Sequence, residues 1–131
     1  MSLNAQDKIL LEKAKEAAAR AYAPYSGYKV GAALRCTDGT IFTGCNVENA
    51  SFSLTICAER TAVFKAISEG HRNYEAIAIY VDSETLFPPC GACRQVLHEF
   101  SPELRVIYAS QDETYIKTIG ELLPGAFVLR P

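Results

Sequence analysis

Two short stretches carry the residues that could do chemistry, Cys57-Ala58-Glu59 and Pro89-Cys90-Gly91-Ala92-Cys93. Together they supply three thiols and one carboxylate. Three protein ligands on a tetrahedral zinc ion leave one coordination position open, and that open position distinguishes a catalytic zinc site from a structural one. A water molecule in that position loses a proton near neutral pH and becomes a nucleophile. We therefore predict one zinc ion, held by Cys57, Cys90 and Cys93.

Glu59 stands two residues after the first predicted ligand, so its carboxylate can lie beside the metal without binding it. We predict that it transfers protons between the water and the substrate. The alternative is a solvent-exposed glutamate that the helix dipole favours in a first turn. The adjacent zinc ligand favours the proton-transfer role.

Two arginines adjoin the predicted ligands, Arg60 after Glu59 and Arg94 after Cys93. Three thiolates make the site negatively charged, and a nearby cation would reduce that charge. We predict that Arg60 donates a hydrogen bond to a thiolate sulfur and so keeps the zinc electrophilic. The alternative, that Arg60 is an ordinary surface residue of a helix, stays open.

A Cys-x-x-Cys pair also occurs in structural zinc sites and in redox motifs. A structural site would need a fourth ligand, which Cys36 or Cys45 would have to supply. A thioredoxin-type motif is usually preceded by tryptophan, and this chain contains none. Neither alternative accounts for a glutamate two residues after Cys57.

The pattern of apolar residues predicts the elements that position these groups. The predicted helices span residues 5–22, Cys57–Ser68, Cys90–Phe100 and Ile119–Leu123, and the predicted strands are Val30–Arg35, Ile41–Val47, Tyr74–Val81, Arg105–Ala109 and Thr114–Thr118. We expect Ser53 or Thr55 to cap the second helix. This order predicts an α/β fold in which helices cover both faces of a single sheet.

The Asp38-Gly39 dipeptide predicts a two-residue hairpin turn between the first two strands. That turn pairs Cys36 with Ile41 and Cys45 with Ala32. The two cysteines then share a face of the hairpin, roughly 13 Å apart at the usual strand rise, which is too far for a disulfide. The same register puts Asn46 and Glu48 together on the opposite face.

The chain has 131 residues and a net charge of −2, with no run of basic residues. We predict one domain over residues 1–131, and leave open a vector-derived origin for Met1–Leu3. The charge argues against a nucleic-acid partner. There is no membrane-length apolar run and no signal-peptide pattern, so we expect no membrane association and a cytoplasmic location.

Over nearly its whole length the chain resembles the small, homotetrameric, zinc-dependent cytidine deaminases of pyrimidine salvage. The zinc nucleobase deaminases share a His or Cys ligand followed by x-Glu and, further on, Pro-Cys-x-x-Cys. The stretches that carry the resemblance are Ala23-Pro24-Tyr25-Ser26, Val30-Gly31-Ala32-Ala33, Gly44-Cys45-Asn46-Val47-Glu48-Asn49, Cys57-Ala58-Glu59-Arg60-Thr61, Pro89-Cys90-Gly91-Ala92-Cys93-Arg94-Gln95 and Glu121-Leu122-Leu123-Pro124-Gly125-Ala126-Phe127.

The resemblance implies a three-layer α/β/α sandwich with a mixed five-stranded sheet. It implies one Zn²⁺ per subunit and hydrolytic deamination of cytidine and 2′-deoxycytidine to the corresponding uridines. Asn46 and Glu48 are expected to bind the ribose, Glu48 at its 3′-hydroxyl, and the Ala58 amide to contact the base. Phe127 is expected to reach a neighbouring subunit's site in a homotetramer, with ordinary core packing as the alternative.

Two aromatic residues depart from the family pattern. Tyr28 stands where phenylalanine usually stacks on the base, and Phe52 stands where tyrosine is common. Both keep an aromatic face, so stacking is expected to survive, although Tyr28 could instead serve only packing.

The carboxylate of Glu48 also indicates which substrates the site favours. A carboxylate accepts hydrogen bonds from sugar hydroxyls but repels a phosphate, which favours free nucleosides over nucleotides or DNA. Another amino-heterocycle, such as a modified pyrimidine nucleoside or an antibiotic, remains the runner-up substrate.

Overall fold

The fold is built on a mixed sheet of five strands. The computed structural model describes residues 2–129, so Met1, Arg130 and Pro131 lie outside the described residues. The strands are β1 (Val30–Cys36), β2 (Ile41–Cys45), β3 (Tyr74–Val81), β4 (Arg105–Ala109) and β5 (Thr114–Thr118), in the order β2-β1-β3-β4-β5. Only β3 and β4 are parallel. The predicted bounds of β3, β4 and β5 are confirmed.

Helices cover both faces of this sheet, as predicted. They are α1 (Ala5–Ala18), α2 (Ala58–Ser68), α3 (Gly91–Phe100) and α4 (Ile119–Leu122), and a 3₁₀ turn spans Phe52–Leu54. One core cluster joins α1 to the sheet, and a second joins α2, α3 and α4 to the opposite face. The three-layer α/β/α arrangement is therefore confirmed. Within residues 2–129, none of the helices combines the length and the apolar character that crossing a membrane requires.

Helix α1 is shorter than the apolar periodicity predicts, because it ends at Ala18 and not near residue 22. The backbone of Tyr22 pairs with the segment that follows β2. Its N–H donates to the Asn46 carbonyl at 3.0 Å, and its carbonyl accepts from the Glu48 N–H at 2.8 Å. A backbone N–H used in this way cannot also make a helical bond, so the helix has to end earlier.

The turn between β1 and β2 has three residues, not the two that Asp38-Gly39 suggested. The Gly39 N–H donates to the Cys36 carbonyl at 2.9 Å, and the Cys36 N–H donates to the Thr40 carbonyl at 2.8 Å. Gly39 has φ +93°, a left-handed conformation that suits glycine. A hairpin loop of this length commonly places its third residue in that conformation.

The extra residue in the turn shifts the hairpin register by one. Arg35 pairs with Ile41 and Gly31 with Cys45, so the predicted partners of Cys36 and Cys45 are wrong. A shift of one residue moves a side chain to the other face of the sheet. Cys36 accordingly lies in the core beneath α2, whereas Cys45 belongs to the α1 face. The two cysteines do not share a face.

Gly44 in β2 allows the first turn of α2 to lie directly against the sheet. A Cβ atom at Gly44 would lie 2.6 Å from the backbone nitrogen of Ala62 and 2.7 Å from the carbonyl oxygen of Ala58. Both distances are shorter than real Cβ contacts, so any side chain here would displace the helix. The position of Cys57 and Glu59 at the start of α2 therefore depends on this glycine.

We expect Gly44→Ala to lower the free energy of unfolding by about 1–3 kcal/mol, because the added methyl group meets rigid backbone. Gly120→Ala is the matched control, since outside its own helix its Cβ would meet nothing closer than the Pro102 carbonyl oxygen at 3.7 Å. Urea denaturation of both variants measures the difference. Equal stability of the two variants would show that α2 does not depend on close contact at Gly44.

Candidate active site

The three thiols predicted to bind zinc meet where two helices begin. Cys57 is the N-cap of α2 and Cys90 is the N-cap of α3, while Cys93 lies in the first turn of α3. The three Sγ atoms all lie within 4.8 Å of one another, and those of Cys57 and Cys90 are 3.9 Å apart. Because Cys57 itself is the N-cap, the expected capping by Ser53 or Thr55 is wrong.

This spacing fits a tetrahedral zinc ion. A Zn–S distance of about 2.3 Å places two sulfurs of a tetrahedron about 3.8 Å apart, close to the separation of Cys57 and Cys90. Both helix N-termini direct their positive dipole ends at the cluster, which favours thiolates. The chemistry and the spacing of the three thiols therefore fit a divalent metal ion.

A fourth cysteine does not complete the cluster. Within the described part of the chain, Cys57, Cys90 and Cys93 form the only group of three or more potential ligands close enough to share an ion. Cys36 is 1% exposed in the core, and the Cys45 thiol donates to the Arg20 carbonyl at 3.6 Å. The alternative of a four-cysteine structural site is therefore wrong.

The pKa values of two thiols in the cluster, Cys57 and Cys93, are shifted in opposite directions. A hydrogen bond from Cys93, together with the charge and hydrogen bond of Arg60, lowers the pKa of Cys57 to about 5 despite its burial. The hydrogen bond to Cys57 and burial raise the pKa of Cys93, so its thiol keeps its proton. A metal ion deprotonates a coordinating thiol outright. A metal ion bound to the cluster would therefore remove the proton that Cys93 otherwise keeps.

Of the two arginines beside the ligands, only Arg60 donates to the cluster. Its Nη2 donates to the Cys57 Sγ at 3.4 Å, and that bond raises the pKa of the guanidinium. Arg94 instead donates to two backbone carbonyls, those of Pro89 at 2.7 Å and Leu122 at 2.8 Å. Arg60 is therefore the cation that compensates the thiolates, and Arg94 ties α3 to α4.

Glu59 lies in the first turn of α2 and is only 5% exposed. The alternative of a solvent-exposed glutamate is therefore wrong. Burial, reinforced by the charge of Cys57, raises the pKa of its carboxyl to about 7. A carboxyl group that titrates near neutral pH can both accept and release a proton, which is what general acid–base transfer requires.

An open cavity of about 380 Å³ lies between the thiol cluster and the polar side chains of Asn46 and Glu48. Its volume is within the roughly 300–1,000 Å³ of small-molecule sites. Cys57, Cys90 and Glu59 line it together with Asn46 and Glu48. Asn46 and Glu48 thus lie together as predicted, but they follow β2, which ends at Cys45 and not at Val47, and the hairpin register from which the prediction came was wrong.

Glu48 is 5% exposed and its carboxylate accepts three hydrogen bonds from one loop. The backbone N–H groups of Tyr25 and Ser26 donate to Oε1 at 2.9 and 3.0 Å, and the Ser26 hydroxyl donates to Oε2. The hydrogen bond from the Ser26 hydroxyl has the largest effect on the pKa of this carboxyl, and together the contacts hold that pKa below the usual value. Glu48 therefore stays charged at neutral pH.

Asn46 is braced between two backbone groups at the start of β1. Its Oδ1 accepts from the Val30 N–H at 2.9 Å, and its Nδ2 donates to the Tyr28 carbonyl at 2.8 Å. The side chain keeps a second Nδ2 hydrogen and a second Oδ1 lone pair for a ligand. Asn46 thus holds Tyr28 in place and lines the cavity as well.

Aromatic rings form a further part of the cavity wall. Tyr28 meets Phe87 edge to face, with ring centroids 4.7 Å apart, and Phe52 also lines the cavity. The Ala58 side chain is fully buried at the first position of α2.

Phe127 lies outside the cavity lining and is 70% exposed, so its core-packing alternative is wrong.

Several residues of the cavity lining were not identified as site residues from the sequence, and two of them, Ser26 and Phe87, contact residues that were. Ser26 ends the Ala-Pro-Tyr-Ser stretch, which already matched the family pattern, and that match was the available signal. Phe87 precedes two prolines in a loop. Its contact with Tyr28 spans 59 positions of the chain, and no local sequence pattern indicates it.

The chain is similar to known proteins over most of its length. Residues 4–110 match the family described as the cytidine and deoxycytidylate deaminase zinc-binding region. A cytidine deaminase from Halalkalibacterium halodurans is 50% identical over 122 residues, covering 92% of each chain. One from Sporosarcina psychrophila is 49% identical over 120 residues, covering 90% of this chain and 88% of the relative. The crystal structure of a cytidine deaminase from Burkholderia pseudomallei superposes with a TM-score of 0.88 at 47% identity, covering 95% of this chain and all of that one.

Proposed function

The chain belongs to the cytidine and deoxycytidylate deaminase family, and on that basis we propose that it deaminates cytidine and 2′-deoxycytidine to uridine and 2′-deoxyuridine. The reaction is hydrolytic, releases ammonia and serves pyrimidine salvage. One observation carries the proposal. A single cavity is lined by two of the clustered thiols, a buried glutamate and a charged glutamate held for hydrogen bonding.

We assign Cys57, Cys90 and Cys93 as the zinc ligands. Their mutual distances and the absence of a fourth cysteine among the described residues near them support a site with one open position. When bound there, zinc supplies Lewis-acid activation of water. Arg60 donates to the Cys57 sulfur and so limits the negative charge that the thiolates give to the metal.

Glu59 transfers the protons in this proposal. As the water oxygen bonds to C4 of the cytosine ring, the Glu59 carboxylate takes up the proton that the water releases and delivers it to N3. Glu59 then moves the remaining proton of the added hydroxyl from oxygen to the amino group. The C4–N4 bond breaks, the C4 carbonyl forms and ammonia leaves. Its burial and its pKa of about 7 support both directions of transfer.

We propose that Asn46 and Glu48 bind the sugar, with Glu48 accepting from the 3′-hydroxyl. Tyr28 stacks on the base, and the backbone amide of Ala58 contacts it. Among the described residues that line the cavity there is no lysine or arginine, so nothing there would offset a phosphate charge. Repulsion by Glu48 then favours nucleosides over nucleotides.

We further propose a cytoplasmic homotetramer, with one catalytic domain per subunit. Phe127 would reach a neighbouring subunit's cavity. Two features support this role. The Phe127 side chain is 70% exposed, and its backbone is tethered to α3 because the Gln95 side chain donates to the Phe127 carbonyl at 3.0 Å. An exposed aromatic side chain on a tethered backbone suits an intersubunit contact.

A substrate panel tests the proposed activity against its runner-up. We expect ammonia release from cytidine and 2′-deoxycytidine, and a kcat/KM for cytidine 5′-monophosphate that is lower by about tenfold or more because of charge repulsion. Absorbance of the ring chromophore follows the same reactions independently. If cytidine is inert and another amino-heterocycle is converted, the runner-up is correct.

Glu59→Gln separates proton transfer from metal binding. We expect kcat to fall by roughly 10²–10⁴-fold, the usual contribution of general acid–base catalysis, while the zinc content stays at about one ion per chain. Cys57→Ala should lose both zinc and activity because a ligand is removed.

Glu69→Gln is the control for Glu59→Gln, since Glu69 is an exposed glutamate at the other end of α2. It should change neither zinc content nor kcat. Loss of zinc from Glu59→Gln alone would make Glu59 a metal ligand and contradict its assignment.

A further inference from the structure

The Ser26 hydroxyl joins two parts of the cavity wall. It donates to Oε2 of Glu48, and it accepts from the backbone N–H of Tyr28 at 3.0 Å. The Ser26 N–H also donates to Oε1 of the same carboxylate at 3.0 Å. One serine therefore contacts both oxygens of the proposed sugar-binding carboxylate and holds the backbone of the aromatic residue that lines the cavity.

A count of acceptor positions indicates what this contact does. A carboxylate offers about four lone-pair positions. In Glu48 the Tyr25 and Ser26 N–H groups use two on Oε1, and the Ser26 hydroxyl uses one on Oε2. The remaining position is on Oε2, the oxygen that the Ser26 hydroxyl contacts. Without that hydroxyl, Oε2 would have no bond from the protein among those described.

We propose that Ser26 is a positioning residue for sugar recognition. Its hydroxyl holds Oε2 of Glu48 so that the last acceptor position is directed at the 3′-hydroxyl of the nucleoside. This inference rests on the proposed function, because it assumes that Glu48 receives a sugar hydroxyl. The contribution of Ser26 to binding then depends on the presence of that hydroxyl in the substrate.

The test compares cytidine with 3′-deoxycytidine, which lacks only that hydroxyl. For Ser26→Ala we expect kcat/KM for cytidine to fall about tenfold, mainly through KM, as for loss of a hydrogen bond to a charged group. For 3′-deoxycytidine the same variant should change kcat/KM by less than about twofold, because the affected contact is already missing. Ser26→Thr keeps the hydroxyl and should restore the activity on cytidine.

Ser68→Ala is the control, because it removes a serine hydroxyl bond, to the Lys65 carbonyl at 2.8 Å, on the far end of α2. It should leave both substrates unaffected. Equal losses on the two substrates with Ser26→Ala would show that Ser26 only stabilises the loop, and would overturn the inference. A native chain that turns over neither substrate would instead overturn the proposed function itself, so the two failures are distinguishable.

A double-mutant cycle provides a second measurement. In a Glu48→Gln background, Ser26→Ala should cause little further loss on cytidine, because the two residues act through one contact. Additive losses would contradict a role exercised through Glu48.

Discussion

The site depends on two helices that begin at the same point. The N-termini of α2 and α3 bring three thiols together, and their amide groups and dipoles stabilise negative charge there. The sheet positions both helix N-termini. Gly44 allows α2 to lie against β2, and α3, which connects the parallel strands β3 and β4, packs on the same face. Arg60 adds the one cation in hydrogen-bond contact with the thiols among the described residues. A zinc ion is the charge that completes this arrangement.

The surroundings of two glutamates in one cavity shift their pKa values in opposite directions. Glu59 is buried beside a thiolate, so its pKa rises to about 7 and it can exchange a proton. Glu48 is just as inaccessible, but three donors from the loop at Tyr25 and Ser26 hold its pKa low and keep it charged. Two carboxyl groups with separated pKa values suit the roles proposed for them, proton transfer for Glu59 and sugar recognition for Glu48.

Much of this account could be predicted from the sequence because its signals are local. The three-residue spacing of Cys90 and Cys93 places both on one side of a helix start, and the apolar run Tyr74–Val81 predicts a central strand. One error came from an interaction between distant segments, and another from a turn whose length two residues do not determine. Pairing of Tyr22 with the chain after β2 ended α1 early, and the left-handed Gly39 lengthened the turn and shifted the register. The contact of Ser26 with Glu48 spans 22 positions and has no local signature.

In the proposed site three sulfurs bind the metal and leave one position for water, with Glu59 beside the metal but not bound to it. X-ray absorption at the zinc edge of the purified protein tests this most directly. We predict three sulfur neighbours at about 2.3 Å and one oxygen or nitrogen neighbour at about 2.0 Å in the protein without substrate. Four sulfur neighbours, or a protein that binds no zinc, would contradict the account.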